Sequence, residues 1–214
     1  MKLNNLQELI IKGTAMTGWL SPSQISWLSQ DQISWLSQDQ IRGLSQDQIR
    51  GLSQDQIRGL SPSQISWLSQ DQISWLSQDQ IEVIDDIKDL GQLKIEGDFY
   101  GEIVNGDFYD QSTYGNLDDY EPECNTSMCY GGHWVNKAGA LGYNMKEKYG
   151  YIFVATILHR SKYPDAPIFD FNSTNNHAGL NYGKMMSAFH NSGEISFKDW
   201  AEKIFSNNNE TKTN

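Results

Sequence analysis

The residues of this 214-residue chain best suited to chemistry lie in its C-terminal half. Cys124, Cys129 and His133 stand close together, and zinc is held by thiolates and imidazoles of this kind. A structural zinc site needs four ligands, so His159, His177 or His190 would have to supply the fourth. A redox pair usually reads C-x-x-C, and the wider C-x4-C spacing fits that poorly. Cys129 near a helix start, with a His as base, has the outline of a nucleophile. No oxyanion-hole or orienting-acid signature accompanies it. Two buried reduced thiols are the plainer reading, because a buried Cys behaves as a small hydrophobe. Asp110 to Glu121 places Gly115 at loop position six, Asp118 at nine and Glu121 at twelve, the framework of a calcium-binding EF-hand. Tyr114 occupies position five, where an oxygen ligand belongs, and Pro122 follows where a helix should continue, so the spacing reads as coincidence. The sequence assigns no catalytic residue and no cofactor, and it leans against an enzyme.

The elements that would hold these residues are helices. Thr126 or Ser127 is placed to cap a helix running to about Ala140, with Cys129, Gly132 and Val135 on one face. Tyr149 to Arg160 is the most apolar stretch and is expected to be the central buried helix, before Pro164 and Pro167 break the chain. Leu180 to His190 predicts another helix, and Ser196 opens a last one through about Phe205. Residues 207–214 are polar and are expected to be a disordered tail. The tetrad Gly97-Asp98-Phe99-Tyr100, repeated at 106–109, suggests two short strands about a turn.

The run Cys124-Asn125-Thr126-Ser127-Met128-Cys129-Tyr130-Gly131-Gly132-His133-Trp134, with Phe108 to Gly115 before it, resembles an uncharacterised family of small bacterial and prophage proteins. Their core reads roughly C-G-T-x-x-C-x-A-G-[WH]. Asn125 stands in place of the usual Gly and Gly131 in place of Ala, and Tyr109 intervenes between Phe108 and Asp110. The resemblance covers about residues 95–206 and implies a mostly helical domain without an activity. That family's alternative at His133 is Trp, which no metal can use.

The strongest pattern lies elsewhere. From Ser21 to Ile84 the chain is eight consecutive octapeptides: SPSQISWL, SQDQISWL, SQDQIRGL three times, SPSQISWL, SQDQISWL and SQDQIEVI. Ser at position one and Gln at position four make a capping box, in which each side chain satisfies the other residue's backbone N–H. Pro22 and Pro62 fall at the first helical position, where a missing N–H costs nothing. Asp39 and Asp47 suit the positive end of a helix. One continuous helix would advance by 80° per unit and scatter the Ile/Leu pair around its surface, leaving no stripe to bury. The spacing therefore predicts a mainly α protein: a superhelical array of short capped helices followed by a small helical domain. Ile25, Ile33 and Ile41, with Leu28, Leu36 and Leu44, are expected inside. In spacing the array resembles the L-[ST]-x-x-Q-[IV] octapeptide arrays of some large bacterial proteins, which implies no activity.

Positions six and seven vary. Trp27, Trp35, Trp67 and Trp75 flank three middle units carrying Arg42, Arg50 and Arg58, each followed by Gly. Outward-facing, they would form a binding surface of the residue types that dominate interaction hot spots. The alternative is that Trp packs between neighbouring turns and Gly marks places too tight for it.

Charge bounds the partners. The net charge is −11, and residues 85–123 carry −10 of it, so nucleic acid and anionic lipid are repelled there. Each Arg of the array also has an Asp within its own unit (Asp39, Asp47, Asp55). No membrane-length apolar run and no secretory signal pattern are present, and two Cys do not make a disulfide scaffold, so a cytoplasmic location is expected. The expected organisation is a cap over 1–20, repeats over 21–84, an acidic connection over 85–123, a helical domain over 124–206 and the tail. The expected function is non-catalytic protein binding or scaffolding by the array, with self-association left open. The alternative is a metal- or thiol-dependent activity around Cys124, Cys129 and His133, with the array as spacer.

Overall fold

Each octapeptide restarts its own helix because Ser and Gln satisfy the backbone groups that a helix start leaves open. The computed structural model describes residues 22–34, 36–106, 130–168 and 176–210. It is mainly helical, with no strand among the described residues. The array comprises α1 (Pro22–Ile25), α2 (Gln30–Ser34), α3 (Gln38–Arg42), α4 (Gln46–Arg50), α5 (Gln54–Arg58), α6 (Pro62–Ser66) and α7 (Gln70–Ser74). The last unit runs on into a longer helix, α8 (Gln78–Gly91). From Ser29 to Ser77 the Ser N–H donates to the Gln Oε1 at 2.7–3.0 Å, and the Gln N–H donates back to the Ser Oγ at 3.1–3.4 Å.

The same glutamines do a second job. Gln56 Nε2 donates to the carbonyls of Ile25 and Leu28, both at 2.8 Å. Gln64 reaches Ile33 and Leu36, Gln72 reaches Ile41 and Leu44, and Gln80 reaches Leu52. Each bond spans 28 or 31 residues, so it joins a unit to the fourth unit before it. The amide is thereby buried with both ends bonded, as a polar group inside an apolar core requires. Around it Ile25, Ile33, Ile41, Ile49, Ile57 and Ile65 are at most 2% exposed, and Leu28, Leu36 and Leu44 are buried with them. Val83, Ile84, Ile87 and Leu90 carry this apolar face along α8, which packs against α5 and α6.

The chain divides into two compact units, Met1–Gln92 and Leu93–Asn214. The described part of the 85–123 acidic stretch is shared between them: Asp85 to Gly91 completes α8, and Phe99 to Val104 forms α9 in the second unit. The first Gly-Asp-Phe-Tyr tetrad is thus the start of a helix rather than a strand. Asp98 caps α9 by accepting from the Gly101 N–H at 2.9 Å, and Phe99 and Tyr100 go into the core. The second tetrad lies outside the described residues beyond Gly106.

The second unit continues with α10 (Tyr130–Lys137), α11 (Gly139–Tyr149), α12 (Tyr151–Lys162), α13 (Asn176–Ser192) and α14 (Phe197–Glu210). The expected helix to Ala140 is interrupted at Ala138, between α10 and α11. The central helix begins at Tyr151, because Gly150 takes φ 85°, a left-handed turn that only glycine adopts readily. Phe153, Val154, Ala155, Ile157, Leu158 and His159 are its buried residues. Helix α12 packs on α10 and α11, while α13 packs on α9 and α14. Helix α14 extends to Glu210, so the expected disordered tail is helical over 207–210.

Candidate functional site

The cavity described inside the array is too small for a ligand. Its lining residues, among them Ile33, Leu44, Ile57 and Leu76, leave about 10 Å³ between them, at the lower limit for a single water and without a polar group to hold one. The outer residues are the ones open to a partner.

Those are the variable positions. Trp27 is 55% exposed, although Ile25 and Leu28 of the same unit are buried. Trp67 and Trp75 are half-buried, and Trp35 lies outside the described residues. Gly43, Gly51 and Gly59 have φ between −74° and −78°, and Trp67 and Trp75 have −83° and −86°. All five are right-handed, so glycine is not there for its conformational freedom. Nor is Gly43 crowded by another turn. A Cβ on it would meet only Asp39 and Gln40 of its own unit within 4 Å. Gly43 and Gly51 are exposed, whereas Gly59 is buried.

Arg42 and Arg50 are exposed and Arg58 half-buried. Only Arg58 pairs with the Asp of its own unit, Asp55, at 3.0 Å. Arg42 lies instead against Gln38: with the amide turned so that its oxygen faces the guanidinium, it accepts from both nitrogens at 2.8 and 3.1 Å. Arg50 does the same with Gln46 at 2.8 and 3.2 Å. These Gln–Arg pairs, four residues apart on one helix face, hold the guanidinium groups against their helices. The local neutralisation read from the sequence is a direct ion pair in one unit of three.

In the second unit the polar groups are tied up in the core. Tyr100 and His159 are fully buried, with the Tyr100 hydroxyl 2.8 Å from His159 Nδ1. Burial drives the His159 pKa down to about 3, so the imidazole is neutral at pH 7. Burial likewise pushes the Tyr100 hydroxyl well above its ordinary value. A general base must reach a substrate, and this pair is sealed from solvent. Tyr100 sits among Tyr130, Trp134, Tyr163 and Tyr182, and Phe99 stacks on Trp134 with centroids 3.6 Å apart. Beside this cluster, Asp98 accepts from Ser187 Oγ and from Asn191 Nδ2, tying α9 to α13. Burial works to raise the Asp98 carboxyl, but these hydrogen bonds and that of Gly101 outweigh it and hold it below the usual range. The Tyr130 hydroxyl donates to the Gly179 carbonyl at 2.9 Å, and a Cβ on Gly183 would lie 1.9 Å from that hydroxyl. Sequence reasoning missed the side-chain hydrogen bonds of Tyr100 with His159, Tyr130 with Gly179, and Asp98 with Ser187 and Asn191, whose partners are 49 to 93 residues apart.

Cys124, Cys129 and the segment Asp110 to Glu121 lie outside the described residues, as does the His177 side chain. His133 and His190 are half-buried on α10 and α13, while His159 is committed to Tyr100. Among the described residues no group of three His, Cys, Asp or Glu could hold a metal ion, and no helix is long and apolar enough to cross a membrane. Compared with protein-family models, curated proteins and solved structures, the chain matches none. The resemblances of the array and of the C-terminal half therefore rest on their residues alone.

Proposed function

We propose that this chain is a non-catalytic protein-interaction or scaffold protein, and that its array is a superhelix whose outer face binds a protein partner. The winding is supported by the Gln-to-carbonyl bonds. Gln64 and Gln72 bond carbonyls 28 and 31 residues earlier, a spacing that supports a turn of three and a half to four octapeptides. The observation that carries the binding role is Trp27, a large aromatic held more than half in solvent by a unit whose other apolar side chains are buried. Arg42 and Arg50 add exposed guanidinium groups beside exposed Asp39 and Asp47, a mixed-charge surface that suits a protein better than a polyanion. On this reading the protein works in a reducing compartment such as the cytoplasm.

The test is the full-length protein with Trp27, Trp35, Trp67 and Trp75 all replaced by Ser, compared with the parent for its co-purifying partners after cross-linking. The expected result is at least a tenfold loss of a specific partner with an unchanged far-UV circular dichroism spectrum. Full retention of every partner with the spectrum unchanged contradicts the proposal.

A further inference from the structure

Three features of the array bear on how its outer surface is set. Units three to five, residues 37–60, are letter-for-letter identical, and they separate the Trp-bearing units one and two from units six and seven. Every bond between units four apart is donated by the Gln common to all units and accepted by a main-chain carbonyl, which every unit also possesses. The capping boxes that start the helices are internal to each unit.

We infer that the three identical octapeptides are an interchangeable spacer whose number sets the angle between the two Trp-bearing ends. The inference rests on the superhelical reading above. Removing residues 45–52 leaves every remaining unit unchanged in sequence. Gln64 then stands where Gln56 stood and meets the carbonyls of Ile25 and Leu28. Gln72 meets those of Ile33 and Leu36, and Gln80 takes the place facing unit three. The interior receives the same Ile and Leu positions as before, because they recur with the unit. With three and a half to four units per turn, the loss or gain of one unit rotates everything beyond it by about 90–100° about the array axis. Trp67 and Trp75 are carried around relative to Trp27, so one length change converts one arrangement of surface aromatics into another without altering a side chain. Half a unit cannot do this. Removing residues 45–48 joins Leu44 directly to Ile49: Ile49 falls where Ser belongs, the capping box is lost, and downstream Gln side chains no longer face the carbonyls they bond.

The experiment uses three full-length variants, lacking 45–52, carrying 45–52 twice, or lacking 45–48. Each is read by thermal unfolding. The first two are also read by the distance between spin labels at Ser26→Cys and Ser66→Cys, with Cys124 and Cys129 replaced by Ser. The whole-unit variants are expected to unfold in one cooperative array transition within about 8 °C of the parent. Each should give a narrow label distance different from the parent's, and the variant lacking 45–48 should lose the array transition. If either whole-unit variant loses the transition or gives a broad distance distribution, the inference falls. If the half-unit deletion is tolerated as well as the whole-unit one, the turns are not in register and the superhelical reading falls with it.

Discussion

The two units of this protein solve the same problem, burial of a polar backbone inside a small core, by opposite means. The array repeats one local rule. Ser and Gln close each helix start, aliphatic side chains fill the interior, and from Gln56 onward the spare half of the Gln amide reaches a main-chain carbonyl four units earlier. Its contacts are therefore many, similar and interchangeable. The second unit uses single, unrepeated pairings among aromatics: Tyr100 with His159, Tyr130 with Gly179, and Phe99 stacked on Trp134. Loss of one capping contact in the array should thus cost a small and predictable amount, whereas truncation of a side chain in the aromatic cluster should cost much more.

The largest expected effect follows from that contrast. Trp134→Ala, which empties a fully buried position under Phe99, should destabilise the second unit by about 3–5 kcal/mol in denaturant titrations. An effect no larger than that of Ser45→Ala in the array would break the contrast.

Next is acid. His159 is held neutral down to about pH 3 when folded, but takes a proton near 6.5 when unfolded. Between those values the unfolded state binds the extra proton, so stability is present above about pH 6.5 and drains away as pH falls toward 3. The loss is on the order of 4 kcal/mol. It should belong to the second unit, with His159 staying unprotonated in an NMR titration of the folded protein. Titration of His159 near pH 6.5 in the folded state would sharpen the picture against a sealed cluster.

The smallest effect is expected for Ser45→Ala, which removes one capping oxygen of many. It should cost about 1 kcal/mol in thermal or chemical unfolding of the array. A cost several times larger would mean that the units are not interchangeable.

The capping boxes were legible in the sequence because both partners lie within one unit, three residues apart. The buried Ile and Leu were legible because the eight-residue period rules out a continuous helix. The second bond of Gln56, Gln64, Gln72 and Gln80 was not, since its acceptor lies 28 or 31 residues away and is main chain, which no side-chain pattern reveals. The repeated Gly-Asp-Phe-Tyr tetrad suggests strands about a turn, although Asp98 three residues before Gly101 also fits the helix cap that it forms. His159 was read as a candidate ligand because Tyr100, the residue that occupies it, stands 59 positions earlier. Of the surface residues, the sequence named Trp27, Arg42 and Arg50 as outward candidates, and those are exposed. It did not separate them from the half-buried Trp67 and Trp75, because exposure depends on which unit lies alongside.

The central claim is that one Gln both caps its own helix and binds the array turn to turn, and Gln64→Glu tests it directly. Glu keeps the capping oxygen at the same position of the box but cannot donate through Nε2. It also faces the carbonyls of Ile33 and Leu36 with a buried negative charge. The account predicts destabilisation of the array by about 3 kcal/mol at pH 7, partly recovered near pH 4 as the carboxyl takes a proton and can donate again. Stability equal to the parent at both pH values would show that Gln64 is a helix cap and nothing more, and would contradict the account.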